Sequence, residues 1–177
     1  MRVLLWIVGG VVALGALLLL PLPWPDEWVG SRIVNRIEIA AQPERVFSYV
    51  TTPANWPRWH PASRAVRGIT DRTPKVGENV IETFEIAGRR DDATWTTVEL
   101  DPSHRWVIYS GAPGGGSARI VYTMSATASG TLWERDITYR GSNLLFGILN
   151  ALRIRAVMES DSAKALANVK RELEAAR

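Results

Sequence analysis

Whatever chemistry this chain performs rests on two imidazoles, His60 and His104, and on a few charged and aromatic residues in strand-like segments. His60 follows Trp59 in TPANWPRWHPAS, residues 52–63, where an imidazole can act as acid or base near neutral pH. The plain structural alternative is a capping or surface histidine between two proline-constrained turns. His104 opens a strand after a turn and is assigned no role. Neither histidine has a second histidine or a carboxylate at ligand spacing, so no metal site is expected. The chain has no cysteine, which removes disulfides, thiolate zinc ligands and a cysteine nucleophile. It also lacks a phosphate-cradling glycine loop, His-Glu-x-x-His and Gly-x-Ser-x-Gly, and no cofactor is expected. The Gly114-Gly115-Gly116 run reads as a hairpin tip.

Alternation adds an arginine to this set. On residues 131–140 every second side chain shares a face, which groups Trp133, Arg135, Ile137 and Tyr139 as the inward set. Arg135 is then a charge on an apolar wall, costly unless it meets a carboxylate or an anionic ligand group. Glu82, sharing a face with Val80, Phe84 and Ile86, is the candidate partner; recognition of a ligand carboxylate or phosphate is the alternative. Phe84, Trp95, Tyr109 and Tyr122 are further candidate lining residues. Trp56 and Trp59 either stack on a bound ring or chain or fill the core. In an enzyme of this design His60, Arg135 and Tyr109 would polarise a carbonyl and move protons.

Composition narrows the partners. A formal charge of +3, spread among acidic residues, gives no nucleic-acid footprint. Eight tryptophans suit a large apolar interior. Residues 3–22, VLLWIVGGVVALGALLLLPL, carry no charge and match the roughly 20 apolar residues that cross a bilayer. A cleaved signal would have a shorter apolar region followed by small residues, whereas Pro21, Leu22, Pro23, Trp24 and Pro25 follow here. The expectation is an uncleaved single-pass anchor in the cell membrane, with Trp24 and Trp28 at the headgroups. Arg2 and the amino terminus on one side nearly balance Arg32 and Arg36 on the other, and the expectation adopted is an inside N-terminus with an exported domain.

The elements that must position the candidate residues can be read in order. Residues 33–41 alternate as a strand, Pro43 opens a short helix over 43–50, and prolines 53, 57 and 61 impose a kinked helical corner. Strand segments follow at 62–69, 78–87, 92–100, 104–111, 117–127 and 131–140, too closely spaced for parallel crossovers, so the sheet is an antiparallel meander. From Ser142 a helix places Leu145, Ile148, Leu149, Leu152, Ala156, Ala163, Leu166, Val169 and Leu173 at three- and four-residue intervals. Within it LLFGILNALRIR, residues 144–155, is more apolar than packing on a sheet needs, and a place on the bilayer as a gate for lipid entry is the functional alternative. The organisation is an anchor at 1–22, a linker at 23–32 and one domain at 33–177.

Three pieces of sequence carry a family resemblance: IEIAAQPERVFSYVTTPANWPRWHP at 37–61, KVGENV at 75–80 and SAKALANVKRELEA at 162–175. They resemble the START/Bet v 1-like superfamily, in particular its bacterial polyketide cyclase/dehydrase and lipid-transport branch. The resemblance implies an α+β helix-grip fold: a curved antiparallel sheet around a long C-terminal helix, with an apolar cavity between them and positions like Trp59 packed beneath it. It implies no single activity. The leading expectation is non-enzymatic binding, transfer or sensing of a hydrophobic small molecule or lipid near the membrane. A cyclase or dehydratase is the alternative, favoured by titratable groups converging inside. An interaction domain is the third, favoured by Trp56, Trp95 and Trp133 filling the interior.

Overall fold

The computed structural model describes residues 2–111 and 114–175, apart from the side chains of residues 2–5, 8 and 12–14. Helix α1 (Arg2–Leu19) and a one-turn helix α2 (Asp26–Val29) lead into strand β1 (Gly30–Ile39), which starts three residues before the alternation predicts. Proline at the first turn launches α3 (Pro43–Thr51), and a 3-10 turn (Pro53–Asn55) and α4 (Trp56–Trp59) form the expected corner. Six more strands follow: β2 (Ser63–Gly68), β3 (Asn79–Ile86), β4 (Arg89–Asp101), β5 (Arg105–Gly111), β6 (Ser117–Thr127) and β7 (Gly130–Arg140). The chain closes with α5 (Leu144–Leu149), a π-helical segment (Asn150–Ile154) and α6 (Arg155–Ala175).

All seven strands join one antiparallel sheet in the order β1-β7-β6-β5-β4-β3-β2. The first two strands therefore occupy opposite edges, and α3 and α4 carry the chain between them. Short turns fix the meander. Ala87 and Gly88, with φ of 54° and 85°, close a two-residue hairpin of the kind whose twist matches its strands. Gly130 is required on steric grounds, because a Cβ there would collide with the Ile39 carbonyl oxygen.

The concave face of the sheet is filled by aromatic rings. Trp106 stacks on Tyr122 at 5.5 Å, Trp56 lies 6.2 Å from Trp106, and Trp133 meets Trp59 edge-on at 5.8 Å and Tyr122 at 5.8 Å. These centroid distances suit favourable aromatic pairs. Ala165, Leu166, Val169 and Leu173, one stripe of α6, are buried with them. Interior volume that the family resemblance would leave hollow is thus largely occupied by indoles.

The predicted C-terminal helix is broken once. At the π segment Asn150 is buried, accepting from the Tyr139 hydroxyl at 2.7 Å and donating to the Ser31 hydroxyl at 2.9 Å. Phe146 packs edge-on against Tyr139, and Gly147 lets the Trp28 carbonyl approach so closely that a Cβ would overlap it. These contacts pin α5 to the sheet and to α2. The expected membrane span at residues 3–22 falls on α1, part of whose side chains lie outside the described residues; among the described residues no helix is long and apolar enough to cross a membrane.

Trp133→Ala is expected to lower unfolding free energy by about 3–5 kcal/mol, the usual cost of emptying a buried aromatic site, with the denaturation midpoint as the readout. Gly147→Ala is expected to lower the same midpoint, since an added methyl must displace the backbone of α2.

Candidate functional site

A polar line, buried at Glu82 and Arg135 and half-buried at His60, crosses the grip where the ring-filled core ends. Glu82 on β3, His60 at the end of α4 and Arg135 on β7 lie in that sequence. Glu82 Oε1 is 3.6 Å from His60 Nδ1, and His60 Nε2 is 3.3 Å from Arg135 Nη2. Because a guanidinium only donates, Nε2 is the acceptor, Nδ1 carries the proton, and that proton faces Glu82. Glu82 Oε2 accepts from the Trp95 indole at 2.8 Å, and Arg135 Nη1 donates to Ser162 on α6 at 3.1 Å. The guanidinium carbon lies 5.9 Å from both the Trp59 and Tyr122 ring centroids, within cation–π range.

Local sequence explains each placement. Alternation turns Val80 and Glu82 inward on β3 and Trp133, Arg135, Ile137 and Tyr139 inward on β7. His60 is delivered by the proline-kinked corner, whose Trp56 indole donates to the Val50 carbonyl and whose Trp59 carbonyl accepts from Asn168 of α6. Sheet, corner and C-terminal helix are therefore all tied at the polar line.

The environment sets the charges. Burial, and then the neighbouring Arg135 cation, hold the His60 imidazole below its ordinary value, with Glu82 and Asp161 opposing them. His60 is neutral at physiological pH. Burial alone would raise Glu82, but the groups around its carboxylate, His60, Ser63 and Trp95, outweigh it and keep it below the usual carboxylate range. The Tyr122 phenol is pushed up by burial, against the pull of Arg135. The line thus holds a fixed anion, a fixed cation and a neutral imidazole between them, and can bind an oxygen acceptor or move a proton.

Beyond this line the grip opens. Along β3 the inward side chains pass from buried Val80 and Glu82 to half-buried Phe84 and Ile86, and on β4 from buried Trp95 to half-buried Ala93. On α6 Val157, Met158 and Asp161 are likewise half-buried. Ala93 and Met158 still pack against the core from these positions.

Among the sequence-predicted residues, His60, Trp59, Tyr122, Trp133 and Arg135 come together, and Trp95 joins them through Glu82. Trp56 belongs to the core beneath. Phe84 stands at the open end, and Tyr139 holds the π segment at the other end of β7. Tyr109 is a correction. It is 42 % exposed, because Trp106 and Ile108 take the inward positions of β5 and leave Tyr109 over Gly111 on the opposite face. The direct Glu82–Arg135 pair is also corrected, since His60 stands between them. Ser162 and Trp106 were missed. Ser162 was legible as the single polar member of the stripe Ser162, Ala165, Leu166, Val169 and Leu173. Among the described residues no three metal-ligating side chains gather.

Comparison with known proteins agrees with this architecture. The model of the family "Polyketide cyclase / dehydrase and lipid transport" matches residues 31–174. The chain belongs to that family. No curated protein matches its sequence. Among solved structures, a Thermus thermophilus protein superposes with a TM-score of 0.69 at 15% identity, covering 82% of this chain and 99% of that one. A Rhodobacter sphaeroides protein gives 0.61 at 19% identity, covering 83% and 94%. The di-domain ARO/CYC StfQ of the steffimycin biosynthetic pathway gives 0.63 at 14% identity, covering 82% of this chain and 52% of StfQ. At these identities the likeness is one of fold. Membership of the polyketide cyclase/dehydrase and lipid-transport family suggests hydrophobic-ligand binding or cyclase-like chemistry.

The depressed His60 value gives a signed expectation. An unfolded chain takes up a proton as pH falls through about 6.5 while the folded chain resists, so stability is full above that pH and declines below it. Thermal unfolding at pH 8, 6.5 and 5.5 should show the decline, and His60→Gln should remove the part that lies between the last two.

Proposed function

We propose that this chain is a membrane-tethered binding protein, a carrier or sensor, that holds a hydrophobic small molecule or lipid in the cleft between β3, β4 and α6. One observation carries this reading: the charged side chains of Glu82 and Arg135 are buried among apolar ones, and half-buried Phe84 and Ile86 follow Glu82 on the same face of β3, the mix of apolar and few polar groups that small-molecule sites use. Apolar side chains accept a chain or ring system, and the buried Arg135 Nε, which has no hydrogen-bond partner among the described residues, can donate to a ligand oxygen. The uncharged run at residues 3–22 supports the tether.

A second reading has its own support. His60 Nε2 accepts from Arg135; if a substrate carbonyl took that donor, the freed lone pair would face the substrate with Glu82 behind it, an acid–base arrangement suited to cyclisation or dehydration of an apolar carbonyl compound. Tyr109 has no part in it. The two readings separate on His60→Gln, which abolishes turnover in an enzyme and leaves retention in a carrier.

Native mass spectrometry of the full chain in detergent, followed by denaturing extraction, is expected to reveal one apolar, oxygen-bearing passenger per chain. Ile86→Glu, which places a charge at the cleft mouth, should lose it. A passenger retained unchanged by Ile86→Glu would place binding elsewhere.

A further inference from the structure

Helix α5 and the π segment have two unlike sides. One side is locked down: Gly147 is buried against α2, Phe146 packs on Tyr139, and Asn150 bridges Tyr139 and Ser31. The other side carries Leu145, Ile148, Leu149 and Leu152, at 37%, 45%, 47% and 77% exposure. Their spacing places them on one helical stripe. A water-facing stripe in a pinned helix would ordinarily be polar, and a contiguous apolar surface marks an interaction site.

The surroundings identify the partner. α1 and α2 both pack against α5, and both ends of this corner carry exposed apolar residues: Leu17 and Leu19 on α1, Leu20 and Leu22 after it, and Trp28 on α2. Trp24 stacks on Trp28 at 6.2 Å and 24°, a pair of amphipathic rings of the type that settles among lipid headgroups. This corner is fixed to the domain rather than trailing from it, because Arg140 donates to the Trp24 carbonyl at 3.1 Å and ion-pairs with Asp26 at 3.2 Å. Exposed Arg153 follows the stripe on the α6 side, as cations border a helix lying on anionic lipid, and Arg155 beyond it is ion-paired with Glu159 at 2.8 Å.

We infer that the Leu145, Ile148, Leu149 and Leu152 stripe, continued by Trp28, is a docking surface for the lipid bilayer. It rests on the reading of residues 3–22 as a membrane anchor. Through it the domain lies against the membrane with a set orientation, and the π segment sits at the lipid boundary.

The absence of cysteine makes the test direct. Leu149→Cys in the full chain, carrying an environment-sensitive fluorophore, is reconstituted into vesicles of phosphatidylcholine and phosphatidylglycerol with brominated acyl chains. Val98→Cys, at an exposed position on β4 three strands from β7, is the reference. The expected result is blue-shifted emission and quenching by brominated lipid at position 149, with neither at position 98. Equal quenching of both labels by aqueous iodide, with no effect of brominated lipid, overturns the docking surface. So does disulfide formation between Leu149→Cys chains without lipid quenching, which would make the occupant a second copy. Alkaline carbonate washing keeps the anchor separate: a chain retained on membranes with its label in water loses only the docking inference, whereas a released chain loses the anchor itself.

Discussion

A guanidinium inside an apolar grip is the constraint around which the neighbouring elements are arranged. Unpaired, Arg135 would cost several kcal/mol of desolvation. Its satisfaction requires an acceptor from α4, His60, an acceptor from α6, Ser162, and two ring faces, Trp59 and Tyr122. His60 is held in turn by Glu82 and Glu82 by Trp95, so that corner, sheet and C-terminal helix converge on one chain of contacts. Such a network specifies geometry more than it adds stability.

The same constraint divides the interior. On one side indoles pack at aromatic contact distances and leave little to bind. On the other, Phe84 and Ile86 of β3 are only half-buried. In the proposed reading the polar groups between the two meet an apolar ligand at its oxygen-bearing end. Carrier and enzyme would then differ in what His60 does once Arg135 has a second acceptor to serve.

Strand and helix placement was legible because periodicity is strong in this chain. The alternation of Trp133, Arg135, Ile137 and Tyr139 is unbroken, and prolines 43, 53, 57 and 61 punctuate the corner. Arg135 and His60 were legible individually as a charge on an apolar face and an imidazole beside a tryptophan. Their meeting was not, because it depends on the curvature that brings α4 over β7. Tyr109 was misplaced by a register ambiguity: β5 reads Trp106, Val107, Ile108, Tyr109, apolar at every position, and a strand apolar on both faces gives alternation nothing to decide with. The π segment was hidden for a related reason, since its apolar spacing continues that of the flanking helices and only Asn150 breaks it.

The central proposal is that Glu82, His60 and Arg135 meet the bound ligand. Nitrogen NMR of the His60 ring in the full chain tests it most directly, with and without the passenger extracted from the protein. The account predicts a neutral ring at pH 7 with its proton on Nδ1, and a change in the Nε2 resonance when the passenger binds and draws on Arg135. A ring that is protonated at pH 7, or an Nε2 resonance unmoved by a bound passenger, would contradict it.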